Sequence, residues 1–199
     1  MVNANTKREL ILASASRRRQ RILQNSGFKF KVLKSNLKED NLMKEFKKLS
    51  PKNLVQILAF SKAFSVYLSH ITKLQGNEII AGFDTIVVCK DKIIGKPKNK
   101  KDALKKLLLL SNKTHKVLTG VCLIDLKKEK IIMDFELTKV SMKKITKKEA
   151  IAYINTKEPM DKAGAYAIQG KGKKFVKRIS GDYFNVVGLP IKKFLRMIS

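Results

Sequence analysis

Histidine and cysteine are scarce, two of each in 199 residues. Cys89 and Cys122 stand alone in apolar, strand-like runs, with neither a CxxC nor a zinc-ligand spacing. Buried, reduced thiols are expected, which excludes a disulfide framework. His70 and His115 lie too far apart to suggest a ligand cluster. Acidic residues are few as well, 16 against 44 Lys and Arg, for a formal charge of +28. Such an excess attracts polyanions, whether nucleic acid, an anionic membrane or a nucleoside triphosphate. The lysines are scattered, however, in short runs such as Lys47-Lys48, Lys105-Lys106, Lys127-Lys128 and Lys147-Lys148. No basic arm stands apart, and aromatics are not interleaved with the cations as a base-stacking surface requires. Solvated lysine faces are the plainer reading, so no dedicated nucleic-acid partner is expected.

Long apolar runs are absent too. No segment approaches the length of a membrane span, so no membrane partner is expected. The run Leu10-Ile11-Leu12-Ala13 is too short for a signal peptide, and the main basic cluster follows it rather than preceding it. These features predict a soluble, cytoplasmic protein. The hydrophobic fraction of 44% supports a real core. The length fits one sizeable domain, or two small lobes around a cleft. We read residues 1–199 as a single domain, with residues 1–8 as a flexible extension.

What is present is an alternation of strand and helix signals. Residues 10–13 read as a buried first strand, after which Ser14-Ala15-Ser16 opens a helix to about Asn25, ended by Gly27. Residues 28–33 alternate as a second strand. Ser50-Pro51 caps a helix in which Leu54, Leu58, Ser61/Lys62 and Ser65 follow helical spacing to about His70. Residues 79–90 are strand-rich and return through a turn at Lys90-Asp91-Lys92. A helix over 102–110, a strand pair over 117–126 and 131–140, and a helix after the capping box Thr146–Glu149 follow, with Ile145 placed to staple it. A last helix spans 190–197. The pattern predicts a mixed α/β domain with considerable antiparallel sheet.

Against that background several short segments carry chemistry. Ser14, Ser16, Arg18 and Arg19 lie where a strand hands over to a helix, a junction that offers free N–H groups and a positive dipole end to a phosphate. Arginines in a first turn oppose that dipole, and their planar forks suit phosphate oxygens; the alternative is an ordinary serine cap with solvated arginines. Gly82-Phe83-Asp84-Thr85 interrupts an apolar run, where an ionised carboxylate is costly unless paired or metal-bound. Such a carboxylate can orient or deprotonate water, or hold a divalent ion; the alternative is an aspartate closing a turn. Pro97 restricts Lys96 to an extended backbone, and Lys62 sits among Ala59, Phe60, Ala63 and Phe64, to snorkel or to meet a buried anion. Glu39 and Asp40 are candidate metal or water partners, or simply a polar loop. Finally Glu158, Asp161, Lys162 and Gln169 are interspersed with small residues up to Gly170, a mixture suited to a polar, charged ligand.

Taken together, these segments resemble the Maf family, septum-formation-associated nucleotide pyrophosphatases. The matching pieces run in family order: residues 12–19, Ser35 to Glu39, Lys62-Ala63, Gly82 to Thr85, Gly95 to Pro97, Thr114-His115 with Thr119-Gly120, Glu158 to Gly170, and Gly181 to Pro190. The resemblance implies a two-lobed α/β fold like that of Maf and ITPase proteins, a mixed sheet flanked by helices around a deep central cleft, often as a homodimer. It implies hydrolysis of a nucleoside triphosphate to the monophosphate and pyrophosphate with Mg²⁺ or Mn²⁺. The family's proton acceptor falls on Asp84, its substrate-selecting positions on Arg18, Thr85 and Gln169, and its phosphate-binding lysines on Lys62 and Lys96. Its metal-associated glutamate falls on Glu39, and Asp84 is a second candidate metal partner. The Ala163-Gly164-Ala165-Tyr166…Ile168-Gln169-Gly170 form resembles the branch acting on dTTP and UTP. Arg17, Phe83 and Lys38 depart from the usual proline, alanine and acidic residue, and Phe83 is expected to narrow the pocket beside Asp84. A different class of function, a nucleotide- or nucleic-acid-binding regulator of cell division without turnover, draws on the +28 charge and the family's link to septum formation.

Overall fold

A computed structural model describes residues 8–37 and 39–199, apart from the side chains of Glu39 and Asp40. Residues 1–7 of the expected extension, and Lys38, lie outside the described residues. Arg8, the last residue of that stretch, is anchored: its guanidinium donates to the buried carboxylate of Asp125 at 2.7 Å.

The chain runs β1 (Glu9–Leu12), α1 (Arg17–Asn25), β2 (Phe30–Val32), α2 (Glu39–Glu45), α3 (Pro51–His70), β3 (Glu78–Cys89), β4 (Lys92–Ile94), α4 (Lys100–Leu110), β5 (Thr114–Asp125), β6 (Lys130–Met142), α5 (Lys147–Asn155), β7 (Val176–Ser180), α6 (Tyr183–Val187) and α7 (Ile191–Ile198). The strands form a mixed sheet in the order β2-β1-β3-β5-β6-β7, with β4 paired to β3. β1 runs parallel to β2 and to β3, whereas β3 with β4 and β6 with β7 are antiparallel. This is the mixed α/β architecture the alternation of signals predicts.

Local chemistry explains the boundaries. Ser16, Ser50 and Thr146 each cap a helix through the side-chain oxygen, and Thr146 with Glu149 completes a capping box. Gly27, at φ +80°, takes the left-handed conformation after α1. Lys90 and Asp91, at φ 49° and 57°, turn β3 into β4. Three elements carry no signal in the sequence pattern: α2, β7 and the five-residue α6. α2 begins in a polar loop, and β7 (Val-Lys-Arg-Ile-Ser) is too charged and short to register as a strand.

By contacts the described chain divides into two compact units. The first holds the described residues to Asp84, Gly120–Phe135 and Ile191–Ser199; the second holds Thr85–Thr119 and Glu136–Pro190. In the first unit, Ile11, Ala13, Ile80, Cys122 and Ile124 form an apolar sheet face covered by Ala59, Ala63 and Val66 of α3. On the other face of β3 the ring of Phe83 is fully buried and lies 5.7 Å from Phe194, which meets Phe28 edge-on at 5.4 Å. In the second unit α4 packs on α5, burying Ala103, Leu107, Ala150 and Ile154.

Contrary to the expectation from sequence, one helix does reach spanning length. Pro51–Lys73, α3 with its last turn, is 23 residues long with a mean hydropathy of 1.3 over its best window, enough by length and composition. Serines and Lys62 interrupt the run, so it does not read as one apolar stretch. Its apolar character has a local use: Leu54, Val55, Leu58, Ala59, Ala63 and Val66 are all buried in the first unit.

Candidate functional site

Two glycines set the first part of the site. A Cβ on Gly82 of β3 would stand 2.2 Å from the Ala59 carbonyl oxygen, and one on Gly120 of β5 would stand 2.1 Å from that of Val55. Both strands are therefore bare where α3 crosses them, and the helix backbone rests directly on the sheet. Two residues beyond Gly82, on the same face by strand alternation, is Asp84. One helical turn beyond Leu58 is Lys62. The seating of α3 brings Lys62 Nζ to 2.5 Å from Asp84 Oδ1, with the two residues only 8% and 7% exposed. A carboxylate so deeply placed is costly alone, and the ammonium supplies its counter-charge.

Phe83 points the other way. Its ring is core of the first unit, with the Arg19 guanidinium carbon 6.0 Å from the ring centroid. It fills the layer under α1 and α7, so the expectation that it narrows a pocket beside Asp84 is not met in this unit: successive side chains of a strand face opposite sides.

At the junction of β1 and α1, Ser14 Oγ accepts from Arg19 Nη1 at 3.1 Å and from the Ser16 N–H at 3.3 Å. Ser16 in turn caps α1 through Arg19 N–H. Of the three consecutive arginines, Arg17 is exposed, Arg18 half-buried and Arg19 buried. Glu39 opens α2, and its side chain lies outside the described residues. Within the first unit the fold thus joins Ser14 to Arg19 and Lys62 to Asp84.

In the second unit, Thr85 Oγ1 lies 3.0 Å from Thr119 Oγ1. Thr119 donates to the Asn185 carbonyl at 2.9 Å. Asn185 Nδ2 donates to Val117 O at 3.1 Å and to Thr138 Oγ1 at 3.0 Å, and Thr138 donates to Asp182 O at 2.9 Å. Thr85 therefore heads a polar chain whose deeper members, Thr138 and Asn185, are not among the candidate site residues of the sequence. Asn185 sits in the Gly181 to Pro190 motif, a signal that could have flagged it; Thr138 is separated from its partners by a strand and a helix. Asn185 Oδ1 and His115 Nδ1 are buried without a hydrogen-bond partner among the described residues.

Lys96 is exposed between Gly95 and the buried Pro97, and Lys162 is half-buried in an ion pair with Asp161. Gln169 is exposed in the stretch of short 3-10 turns after α5. That stretch is held by Glu158, whose carboxylate accepts from Tyr153 Oη at 2.8 Å and from the Lys171 and Gly172 N–H groups at 3.0 and 3.2 Å. Burial would raise the Glu158 carboxyl, but the donors of Lys171, Tyr153 and Gly172 outweigh it and hold it below the usual range. His115 Nε2 is 2.8 Å from Tyr166 Oη, and burial pushes the imidazole down to about 4.

Among the described residues no three His, Cys, Asp or Glu side chains gather as a metal cage. A single carboxylate such as Asp84 still suits Mg²⁺, which is held through one or two carboxylates with the rest of its oxygens from phosphate and water.

Residues 9–199 match the family model described as Maf-like protein. A dTTP/UTP pyrophosphatase of Alkaliphilus oremlandii (strain OhILAs) is 48% identical over 186 residues, covering 94% of this chain and 92% of the relative. One from Alkaliphilus metalliredigens (strain QYMF) is 49% identical over 184 residues, covering 92% and 91%. One from Acetivibrio thermocellus is 45% identical over 185 residues, covering 92% and 90%.

Proposed function

This chain belongs to the Maf-like protein family, and on that premise we propose that it hydrolyses dTTP and UTP to the monophosphate and pyrophosphate. The observation that carries the reading is the buried Asp84 carboxylate with Lys62 at 2.5 Å, in a chain 48% identical to a protein named for that substrate pair.

In this reading water attacks the α-phosphorus in line, and Asp84 takes its proton as general base. The bond from the α-phosphorus to the bridging oxygen breaks, and the electron pair leaves with pyrophosphate. Arg18, Arg19, Lys62, Lys96 and Lys162 offset the charge of the phosphate tail, while Ser14 and Ser16 give it hydroxyl donors. Positioning and charge stabilisation then supply most of the rate. Asp84 and Glu39 are the residues that would hold a divalent cation. Such an ion, when bound, neutralises phosphate oxygens. Thr85, Arg18 and Gln169 select the base, the glutamine amide offering one donor and one acceptor to the O4 and N3–H edge of uracil or thymine.

The test is pyrophosphate release from a panel of canonical and modified triphosphates, with Mg²⁺ and with Mn²⁺. dTTP and UTP are expected to react fastest. Asp84→Asn keeps an acceptor for Lys62, so nucleotide binding by calorimetry should persist while turnover falls by about 10²–10⁴-fold. Undiminished turnover in the variant would remove Asp84 from its role. Tight DNA binding at physiological salt without any hydrolysis would point instead to a regulator.

A further inference from the structure

Gln169 sits in a turn just before the short 3-10 helix Lys171–Phe175, whose Lys173 N–H donates to Gly170 O at 3.0 Å, and two side chains tie that turn down. Tyr153 of α5 is 1% exposed, its ring edge-on to Phe175 at 5.4 Å. A carboxylate oxygen only accepts, so the single hydroxyl proton of Tyr153 goes to Glu158 Oε1. The hydroxyl oxygen then accepts the Ala167 N–H at 3.0 Å. Glu158 takes the Gly172 N–H on the same oxygen and the Lys171 N–H on Oε2. Gln169 therefore lies between pinned points, Ala167 before it and Lys171 and Gly172 after it. The glycines allow this closeness: a Cβ on Gly170 would stand 2.4 Å from Glu158 Oε2, and one on Gly172 would stand 2.7 Å from Tyr153 Oη.

We propose that Tyr153 and Glu158 are positioning residues that set base preference by holding the Gln169 backbone in one place. The proposal rests on the reading that Gln169 contacts the base. An exposed side chain on a loosely held loop would spread its donor and acceptor over many directions, whereas one on a pinned loop meets the base edge already aligned.

The experiment measures kcat and KM for dTTP and dCTP in the wild type, Tyr153→Phe, Glu158→Gln and Gln169→Ala. In Tyr153→Phe the preference ratio in kcat/KM should fall by at least about tenfold, chiefly through a higher KM for dTTP. A purely structural role would lower both nucleotides together and leave the ratio intact, which overturns the proposal. If Gln169→Ala itself leaves the ratio unchanged, it is the base-reading role that fails. If Gln169→Ala collapses the ratio while Tyr153→Phe and Glu158→Gln preserve it, only the positioning role fails. Should the variants not fold, hydrogen exchange in the wild type decides: the amides of Ala167, Lys171 and Gly172 should exchange at least about a hundredfold more slowly than in an unstructured peptide. Unprotected amides there would refute the pinning.

Discussion

The Lys62–Asp84 pair and the Gln169 loop are held in opposite ways. The pair belongs to a helix and a strand, and its geometry is set by apolar packing: α3 lies where Gly82 and Gly120 leave the sheet bare, and the ion pair forms wherever that seating puts it. The loop has only short 3-10 turns on either side of it. Its backbone is fixed by a carboxylate and a phenol, through bonds of 2.8 to 3.2 Å. A site made from packing fails when volume changes. A site made from polar anchors fails when a single donor or acceptor is lost, and it can fail without unfolding anything else.

Glycine-to-alanine changes at the two places separate packing from polar anchoring. Gly82→Ala forces a methyl against the Ala59 carbonyl, a backbone atom that cannot rotate away. It should cost about 3 kcal/mol, the upper range for overpacking, and lower hydrolysis of every nucleotide alike. Urea unfolding and pyrophosphate release measure both effects; an unchanged midpoint would mean that α3 does not depend on the bare strand.

Burial of titratable groups supplies the next contrast. In the first unit the deep carboxylate is paired, whereas in the second the deep imidazole of His115 is held down to about 4 from an ordinary 6.5. A group with a depressed folded value binds its proton more readily when unfolded, so stability is greatest above the unfolded value and declines as pH falls from 6.5 towards 4. The loss should reach about 3 kcal/mol, read as a falling urea midpoint, and His115→Gln should flatten that slope. A midpoint that holds steady over this range would contradict the assignment.

The smallest effect is expected at Gly170→Ala. Its methyl meets the end of the Glu158 side chain, which can swing aside. About 1 kcal/mol of stability should be lost, the worth of one released hydrogen bond, and the preference for dTTP over dCTP should weaken while overall turnover stays near normal. Equal losses at Gly170 and Gly82 would erase the distinction between the two sites.

Much of this was legible from residues alone, for physical reasons. Ser50-Pro51 and Thr146–Glu149 announce helices because caps are local chemistry, and both caps form. An aspartate inside the apolar run around Gly82 and a lysine among apolar residues of α3 each ask for a partner, and they meet. The place of Phe83 in the core is not legible in the sequence, because periodicity shows that two neighbours diverge but not which layer each enters. Tyr153 gave no sign, since a tyrosine at a buried helix position reads as core until its hydroxyl is located. Thr138 and Asn185 meet 47 residues apart in sequence, a separation that local patterns do not reach.

One consequence of the ion pair under α3 concerns how this protein can drift. Replacing Asp84 with an apolar residue removes the carboxylate beside a buried ammonium, and replacing Lys62 removes the ammonium beside a buried carboxylate; either step is costlier than exchanging both at once. The two positions therefore constrain each other through folding before chemistry enters. A lineage that abandoned hydrolysis would be expected to relinquish both together, leaving a sound but inert scaffold.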